Sequence, residues 1–380
     1  MHILIAPNAF KNSLDAAKVA EAINNGLHKS KLQCTTFCFP VADGGDGTAG
    51  LLINYLKGEW IHTNVHDPLM REISSSFGWI EREKTAIIEL AAASGLRLLK
   101  PAEYSPLTAT TTGTGELILK ALEKKATKII LCVGGSATVD GGTGILKALG
   151  IKFFDINRNE LHDLPATLSS LAEIDTTSCD RRIRDTRIII LCDVENPLLG
   201  LNGAAAIFAP QKGAYEEEVQ LLESMLARLN NIVLRKMDKN MAAIKHGGAA
   251  GGVAAGLHIF FNAELVNGID YFLQATGFEK ELTKAKMVIT GEGSIDLQTL
   301  QGKGPFGVAK KAKEFLLPVI GMAGRVPALI DKSLQQYFDQ LISINDNEAD
   351  LETAIKNTFR NLEKASQHFG DRLSLSVVQN

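Results

Sequence analysis

Residues 35–56 read TTFCFPVADGGDGTAGLLINYL, and this stretch decides the fold class. The β-branched and aromatic residues of Thr35–Val41 predict a strand, and the glycine loop Ala42–Thr48 follows it. Thr48–Leu56 has the apolar spacing of a helix, and Gly58 stands where a helix commonly ends. Strand, glycine turn and helix in this order form the repeating unit of α/β proteins.

The same alternation of strand and helix patterns continues along the chain. Several further strand candidates are near-continuous apolar runs, which is typical of strands buried on both faces of a parallel sheet. Thr63–Trp79 instead predicts a hairpin around Asp67-Pro68. We therefore expect one inserted domain, with the two chain ends sharing a sheet. The further strand candidates are Ile3–Ala6, Ala86–Leu90, Lys128–Val133, Arg187–Cys192, Met287–Thr290, Pro318–Met322 and Gln340–Ile344.

The composition excludes several classes of protein. Of the 380 residues, 45% are hydrophobic and 22% are charged, so a large core is expected and disorder is not. A net charge of -3 provides no basic surface for nucleic acid. No apolar run approaches the ~18 residues that span a bilayer, and the N-terminus does not resemble a signal peptide. Five cysteines without a paired framework favour the reducing cytoplasm.

Many of the 34 glycines lie in six loops that carry Thr, Ser and Asp. Such loops present backbone N–H groups to anions, and a following helix adds its positive end. Turns between strands and helices also need glycine, which explains any single loop. Several loops together predict a polyanion site, and Gly113, Thr114, Gly115, Gly134, Gly135, Ser136 and Gly291 are its candidate phosphate contacts. The six loops are Ala42–Thr48, Thr110–Gly115, Gly134–Gly142, Gly247–Gly252, Thr290–Ser294 and Gly302–Pro305.

The first of these loops carries two carboxylates, Asp43 and Asp46. Gly45–Gly50 matches the G-x-G-x-x-G pattern of dinucleotide-binding folds, so an NAD-dependent oxidoreductase is one interpretation. Two carboxylates would repel a bare pyrophosphate, however, and they suit a divalent cation that also binds substrate phosphates. The loop therefore favours MgATP-dependent phosphoryl transfer, with Asp43 and Asp46 as candidate Mg²⁺ ligands.

Other charged residues stand at strand ends or beside glycines. Asp193 follows the apolar run Arg187–Cys192, at the end of a strand where α/β proteins bind ligands. Glu292 has a similar position after Met287–Thr290 and is a candidate contact to the nucleotide. A helix cap or a turn is the alternative role for both carboxylates. Lysines beside turns or glycines are candidate phosphate contacts, although isolated lysines are commonly solvated. These lysines are Lys11, Lys212 and Lys303.

Ordered motifs along nearly the whole chain resemble those of the bacterial type I glycerate kinases. The motifs are APNAFKNSL (6–14), PVADGGDGT (40–48), ELAAASGL (89–96), GTGELI (113–118), GGSATVDGG (134–142), CDVENPL (192–198), PQKGA (210–214) and VITGEG (288–293), followed by Asp296, Gln298–Leu300 and Gly302-Lys303.

The resemblance implies ATP-dependent phosphorylation of D-glycerate to 2-phosphoglycerate by a cytoplasmic transferase. It implies a Rossmann-like parallel-sheet domain of residues 1–62 and 282–380, an inserted α/β domain of residues 63–281, and an active site in the cleft between them. Asp193 would orient or deprotonate the hydroxyl, and Mg²⁺ would lie near Asp43 or Asp46. Lys11 and Lys303 would balance charge, and Arg71, Ser94 and Asn196 would bind the substrate.

Several positions depart from the pattern of that family. Asn8, Ala9 and Asn12 replace its usual Asp, Ser and Gly, while Val139, Glu195 and Ser294 replace a usual Asn, Asp and Arg. Because an amide at position 8 cannot act as a base, a non-catalytic binding homologue is a second hypothesis. The sequence also leaves phosphorylation of the 3-hydroxyl open, and it does not fix the oligomeric state.

Overall fold

The strands and helices come from a computed structural model that describes residues 1–345 and 350–378. In chain order the strands are β1 (His2–Ile5), β2 (Thr35–Cys38), β3 (Glu59–His66), β4 (Glu72–Ile80), β5 (Thr85–Glu89), β6 (Lys128–Cys132), β7 (Lys152–Phe154), β8 (Glu173–Asp175), β9 (Arg187–Cys192), β10 (Glu264–Asn267), β11 (Met287–Ser294), β12 (Val319–Arg325) and β13 (Gln340–Ser343).

The α-helices alternate with these strands, as the sequence predicts for an α/β protein. They are α1 (Ala16–Lys29), α2 (Thr48–Leu56), α3 (Ala91–Ser94), α4 (Thr112–Glu123), α5 (Thr143–Ala148), α6 (Ala204–Phe208), α7 (Glu216–Met237), α8 (Val253–Phe261), α9 (Gly268–Thr276), α10 (Glu279–Leu282), α11 (Gly304–Glu314), α12 (Lys332–Gln335) and α13 (Leu351–Val378). Among the described residues, no helix is both long enough and apolar enough to cross a bilayer.

The first of two compact units contains both chain ends, residues 1–43 and 269–380. Its sheet has the strand order β13-β12-β11-β1-β2, and every neighbouring pair is parallel. Ile3 and Ile5 of β1 are fully buried together with Val19, Ile23 and Leu27 on one face of α1. The expectation that the two chain ends share a parallel sheet is confirmed.

The second unit comprises residues 44–268 and has a sheet of order β10-β9-β6-β5-β4-β3. Strands β5, β6, β9 and β10 pair in parallel, whereas β3 and β4 form an antiparallel hairpin at one edge. The hairpin contains the predicted segment Thr63–Trp79. Strands β7 and β8 form a separate antiparallel pair.

The units divide at residues 43/44 and 268/269, earlier than the expected boundaries at 62/63 and 281/282. Helix α2 belongs to the second unit because it packs on β4, where a side chain at Gly78 would collide with Ile53. Helix α9 begins the return to the first unit, and Ile269 fills the space that a side chain at Gly307 would need. The cleft between the domains that the resemblance implies stays a prediction.

Candidate active site

Most predicted site residues of the second unit follow its parallel strands. The loops after β5 and β6 are joined by hydrogen bonds from Leu96 N to the Gly135 carbonyl (2.9 Å) and from Ala137 N to the Ser94 carbonyl (2.9 Å). Asp193 follows the neighbouring strand β9. Because these strands run in parallel, their carboxyl ends form one edge of the sheet, which is where α/β proteins bind ligands.

Lys212 is buried against the loop after β6. Its Nζ donates to the Ser136 hydroxyl (2.7 Å) and to the Thr138 carbonyl (2.8 Å). Burial lowers the pKa of this lysine to about 7, and only the charge of nearby Asp140 opposes the shift. Lys212 therefore holds the loop from within, and any contact with a phosphate stays a prediction.

Asp140 is fully buried and links two of the glycine loops. Its carboxylate accepts hydrogen bonds from Gly142 N (2.9 Å), Gly144 N (3.2 Å), Thr111 N (3.0 Å) and the Thr111 hydroxyl (2.6 Å). Burial raises the pKa of Asp140, while the four donors oppose that shift. The N–H groups at the start of α5 thus point at a carboxylate of the chain itself and are not available to a phosphate.

Glu89 likewise accepts a backbone N–H group at the start of a helix, here α2. Its Oε1 accepts from Ala49 N (3.0 Å), and burial raises its pKa. Arg97 lies 3.5 Å from Glu89 Oε2 and 3.6 Å from Asp46 Oδ1, so Asp46 lies beside a guanidinium. This arrangement contradicts the NAD interpretation, because Glu89 takes a helix N-terminus that a pyrophosphate would need.

Gly113, Thr114 and Gly115 are buried at the start of α4. A side chain at Gly113 would overlap the His66 carbonyl oxygen, and one at Gly115 would lie 2.6 Å from Ala148 Cβ. The Thr114 hydroxyl is 2.7 Å from that of Ser94, which is also buried. The two glycines permit close packing here, and the predicted contacts of this loop with phosphate, and of Ser94 with substrate, are not tested by these distances.

Two glycine-to-alanine substitutions should change stability in opposite directions. Gly113→Ala should lower the free energy of unfolding by about 1–3 kcal/mol, because the new methyl group has no space. Gly50→Ala in α2 should raise it by about 0.5–1 kcal/mol, because the nearest atom to a new Cβ would be on Trp60 at 3.9 Å. Thermal unfolding of both variants measures the difference, and equal shifts would contradict the packing described here.

The remaining substrate candidates of this unit already have protein partners. Arg71, with 47% of its side chain exposed, pairs with Asp67 through Nε (2.6 Å) and with Glu103 through Nη1 (2.8 Å). Asn196 Nδ2 donates to the carbonyl of Asn202 (2.9 Å). Arg71 therefore anchors the hairpin loop in this structure, and its contact with a substrate carboxylate stays a prediction.

In the first unit, Asp43 lies at the start of α11. Its Oδ2 accepts from the Asn8 side-chain amide (2.9 Å) and from Gly304 N (3.2 Å). Asn8 Oδ1 in turn accepts from Ala9 N (2.8 Å). The amide at position 8 thus supplies a donor to Asp43, whereas the family's usual carboxylate would face Asp43 with a second negative charge.

Glu292, at the end of β11, is surrounded by charged groups of the same unit. Thr299 donates its hydroxyl to Glu292 Oε1 (2.9 Å). Burial raises the Glu292 pKa to about 7, Lys303 and Lys11 oppose that rise, and Asp43 adds to it. Lys11, Asp43, Glu292 and Lys303 therefore form one electrostatic group, which we call the carboxylate–lysine cluster. Gly291 precedes it on β11 and packs against the Met322 carbonyl.

Glu292 should make stability depend on pH. With its pKa raised from 4.5 to about 7, the folded chain binds more protons than the unfolded chain between these values, so stability falls as pH rises through this range. Between pH 4.5 and 8, wild type should lose on the order of 3 kcal/mol of its free energy of unfolding through Glu292, and Glu292→Gln should abolish this loss. Unfolding in urea at several pH values measures this loss. The control Glu314→Gln, on the exposed side of α11, should behave as wild type, and an unchanged profile for Glu292→Gln would refute the prediction.

Asp43 and Asp46 offer carboxylate oxygens, which are ligands of the kind that Mg²⁺ binds. Within residues 1–345 and 350–378, no three His, Cys, Asp or Glu side chains form a group that could hold a metal ion alone. Mg²⁺ usually needs only one or two carboxylates, because phosphates and water complete its shell. Asp43 and Asp46, the latter 53% exposed, provide the right kind of oxygen. The donor atoms of Asp43 and Asp46 are therefore chemically suited to Mg²⁺.

Sequence reasoning did not single out Glu89, Arg97 or Asp140. Glu89 carried a usable signal, since it is a carboxylate within the apolar strand candidate Ala86–Leu90, whereas Asp140 lies in a glycine loop that gave no sign of its burial. Asn12, which replaces the family's usual glycine, adopts φ of 62°, and asparagine is among the residues that tolerate this left-handed region. Val139 is buried in the core of the second unit, and Ser294 donates to Asp296 Oδ2 (3.4 Å).

The chain is similar to known proteins over nearly its whole length. A family model described as "Glycerate kinase family" matches residues 3–374. Glycerate 2-kinase of Escherichia coli (strain K12) is 40% identical over 377 residues, covering 99% of both chains. Glycerate kinase of Bacillus subtilis (strain 168) is 39% identical and covers 99% of this chain and 98% of its own. A crystal structure assigned to a glycerate kinase 2 of Salmonella typhimurium LT2 has a TM-score of 0.83 at 38% identity, with 99% of both chains covered.

Proposed function

The chain belongs to the glycerate kinase family, whose enzymes transfer a phosphoryl group to a hydroxyl of glycerate, and on that premise we propose that it converts D-glycerate and ATP to 2-phosphoglycerate and ADP. The match over 99% of its length to a relative named glycerate 2-kinase carries this proposal. That name favours the 2-hydroxyl over the 3-hydroxyl. Membership in a family of phosphotransferases also argues against the hypothesis of a non-catalytic homologue.

We infer that Asp193 is the residue that accepts the proton of the substrate hydroxyl. Among the carboxylates at the carboxyl ends of the second unit's parallel strands, Glu89 and Asp140 are buried and Glu195 is exposed. Asp193 is only half-buried and follows directly on β9. Proton transfer to Asp193 would accompany attack of the substrate oxygen on the γ-phosphorus, while the bond from that phosphorus to ADP breaks.

The lysines of the carboxylate–lysine cluster suit the charge that the reaction carries. Lys11 is exposed and Lys303 is half-buried, so both side chains are at least partly accessible to a ligand. Mg²⁺ bound by Asp43 or Asp46 together with phosphate oxygens would neutralise negative charge on the transferred group. Glu292 can lie beside a phosphate because, with its pKa near 7, it is partly protonated at neutral pH.

The five cysteines support a cytoplasmic location. All five thiols are free, and Cys132 and Cys192 are buried in strands. Burial raises the pKa of both thiols, which makes them unreactive. Free thiols and a need for ATP agree with a reducing, nucleotide-rich compartment.

A coupled assay for ADP tests the proposed activity. Purified protein should form ADP with D-glycerate and ATP, should lose that activity with EDTA, and should recover it with added Mg²⁺. L-Glycerate is the matched substrate control, since it has the same groups in mirror arrangement. Folded protein that forms no ADP with D-glycerate would refute the proposal.

A further inference from the structure

A groove of about 760 Å³ opens in the first unit, beside residues that follow β11 and β12. Pockets for small molecules commonly measure about 300–1,000 Å³ and combine apolar walls with a few polar groups. The groove has this character. Its apolar walls come from Leu297, Pro327, Leu329, Ile330 and Leu334, and its polar groups from Asp296, Gln298, Asp331 and Lys332.

Three of the apolar side chains in this groove are unusually accessible. Leu329 is 89% exposed, Leu297 is 54% exposed and Ile330 is 37% exposed. Large aliphatic side chains gathered around one concavity mark a binding site more often than scattered ones do. Flat heteroaromatic rings pack well against such walls, and the Gln298 amide can both donate to and accept from the edge of a base.

The groove is connected to the carboxylate–lysine cluster through one short 3₁₀ helix, Leu297–Gln301. Leu297 and Gln298 of this helix line the groove, whereas its Thr299 donates a hydrogen bond to Glu292 (2.9 Å). Lys303 follows the same helix and caps α11. An apolar groove therefore lies next to a group containing two ammonium side chains.

We propose that this groove binds the adenine base and ribose of ATP, with the triphosphate directed towards Lys11 and Lys303. The inference rests on the proposed kinase function, and it adds a binding site for the base. A nucleoside triphosphate has an apolar aromatic end joined to a polyanion, which is the combination that the groove and the two lysines present. A neutral peptide would match the apolar walls but would bring no anionic group to the two lysines.

Calorimetric titration with two ligands tests the proposal on the full chain in MgCl₂. The ligands are ATP and inorganic tripolyphosphate, which lacks the base. The double variant Leu297→Ser/Leu329→Ser removes two exposed apolar walls, so its folding should be unaffected. We expect its Kd for ATP to rise about tenfold, while its Kd for tripolyphosphate stays within twofold of wild type. The control Leu316→Ser, 91% exposed at the opposite end of α11, should leave both constants unchanged.

Each contrary outcome has a distinct meaning. If the double variant binds ATP as tightly as wild type does, the groove does not bind the base, and the proposed kinase function is unaffected. If the double variant binds both ATP and tripolyphosphate more weakly than wild type does, the groove affects binding of the phosphates. That result also overturns the assignment of the groove to the base. If wild type does not bind ATP at all, the proposed function itself fails, and this inference fails with it.

Discussion

Asp193→Asn should lower kcat by about 10²–10⁴-fold while changing KM for D-glycerate only slightly. The amide keeps the size of the side chain but cannot accept the hydroxyl proton at neutral pH. Asp193 is half-buried at the end of β9, where a substrate can approach it, whereas the Glu89 and Asp140 carboxylates are buried. An interaction that matters only as the proton moves should affect kcat far more than substrate binding.

Glu195→Gln is the matched control for this substitution. Glu195 lies two residues further along the same loop, is exposed, and pairs with Lys245 at 2.9 Å. Its amide variant should retain wild-type kcat, because exposed ion pairs contribute little. If Asp193→Asn instead raises KM with kcat unchanged, then Asp193 only binds substrate and its role as the base is rejected.

Asp140→Ala should lower the free energy of unfolding by about 3–5 kcal/mol, a large loss of stability for a single substitution. It leaves Thr111 N, Gly142 N and Gly144 N buried without their acceptor, and it removes the negative charge near Lys212. Unsatisfied buried donors each cost about 1–3 kcal/mol. Differential scanning calorimetry should show a melting temperature lower by about 10 °C.

Two further variants make this result specific. Asp140→Asn retains one acceptor oxygen, which can accept from Thr111 N, the Thr111 hydroxyl and Gly144 N. Its free energy of unfolding should therefore fall clearly less than that of Asp140→Ala. Asp155→Ala removes a half-buried carboxylate that accepts the N–H groups of Asn157 and Asn159 in a surface turn, and it should cost less than about 1 kcal/mol. Equal melting temperatures for Asp140→Ala and Asp155→Ala would show that Asp140 does not hold the two loops together.

The fold follows from local patterns that a single sequence displays. The apolar runs around Ile3, Ile130 and Ile189 are continuous because their strands lie between neighbours in parallel sheets. The short strands β7, β8 and β10 were missed, because their three or four residues carry too little pattern. The domain boundaries differ because α2 packs on a hairpin that comes after it in the chain, and no local signal reports that contact.

The candidate site was less predictable because its partners are distant in sequence. The glycine loops indicated helix N-termini available to phosphate, yet Glu89, Asp140 and Asp43 accept N–H groups at α2, α5 and α11. Ala49 and Glu89 are 40 residues apart, and Asp43 and Gly304 are 261 apart. Glycine content therefore located the loops correctly, but it could not separate anion binding from capping by the chain's own carboxylates.

The position of the phosphate in the product tests the central claim most directly. Purified protein is incubated with D-glycerate and MgATP, and the product is examined by proton-coupled phosphorus NMR. We predict a phosphorus signal split into a doublet by the single methine proton of 2-phosphoglycerate. A triplet from the methylene protons of 3-phosphoglycerate, or no phosphorylated glycerate at all, would contradict the account.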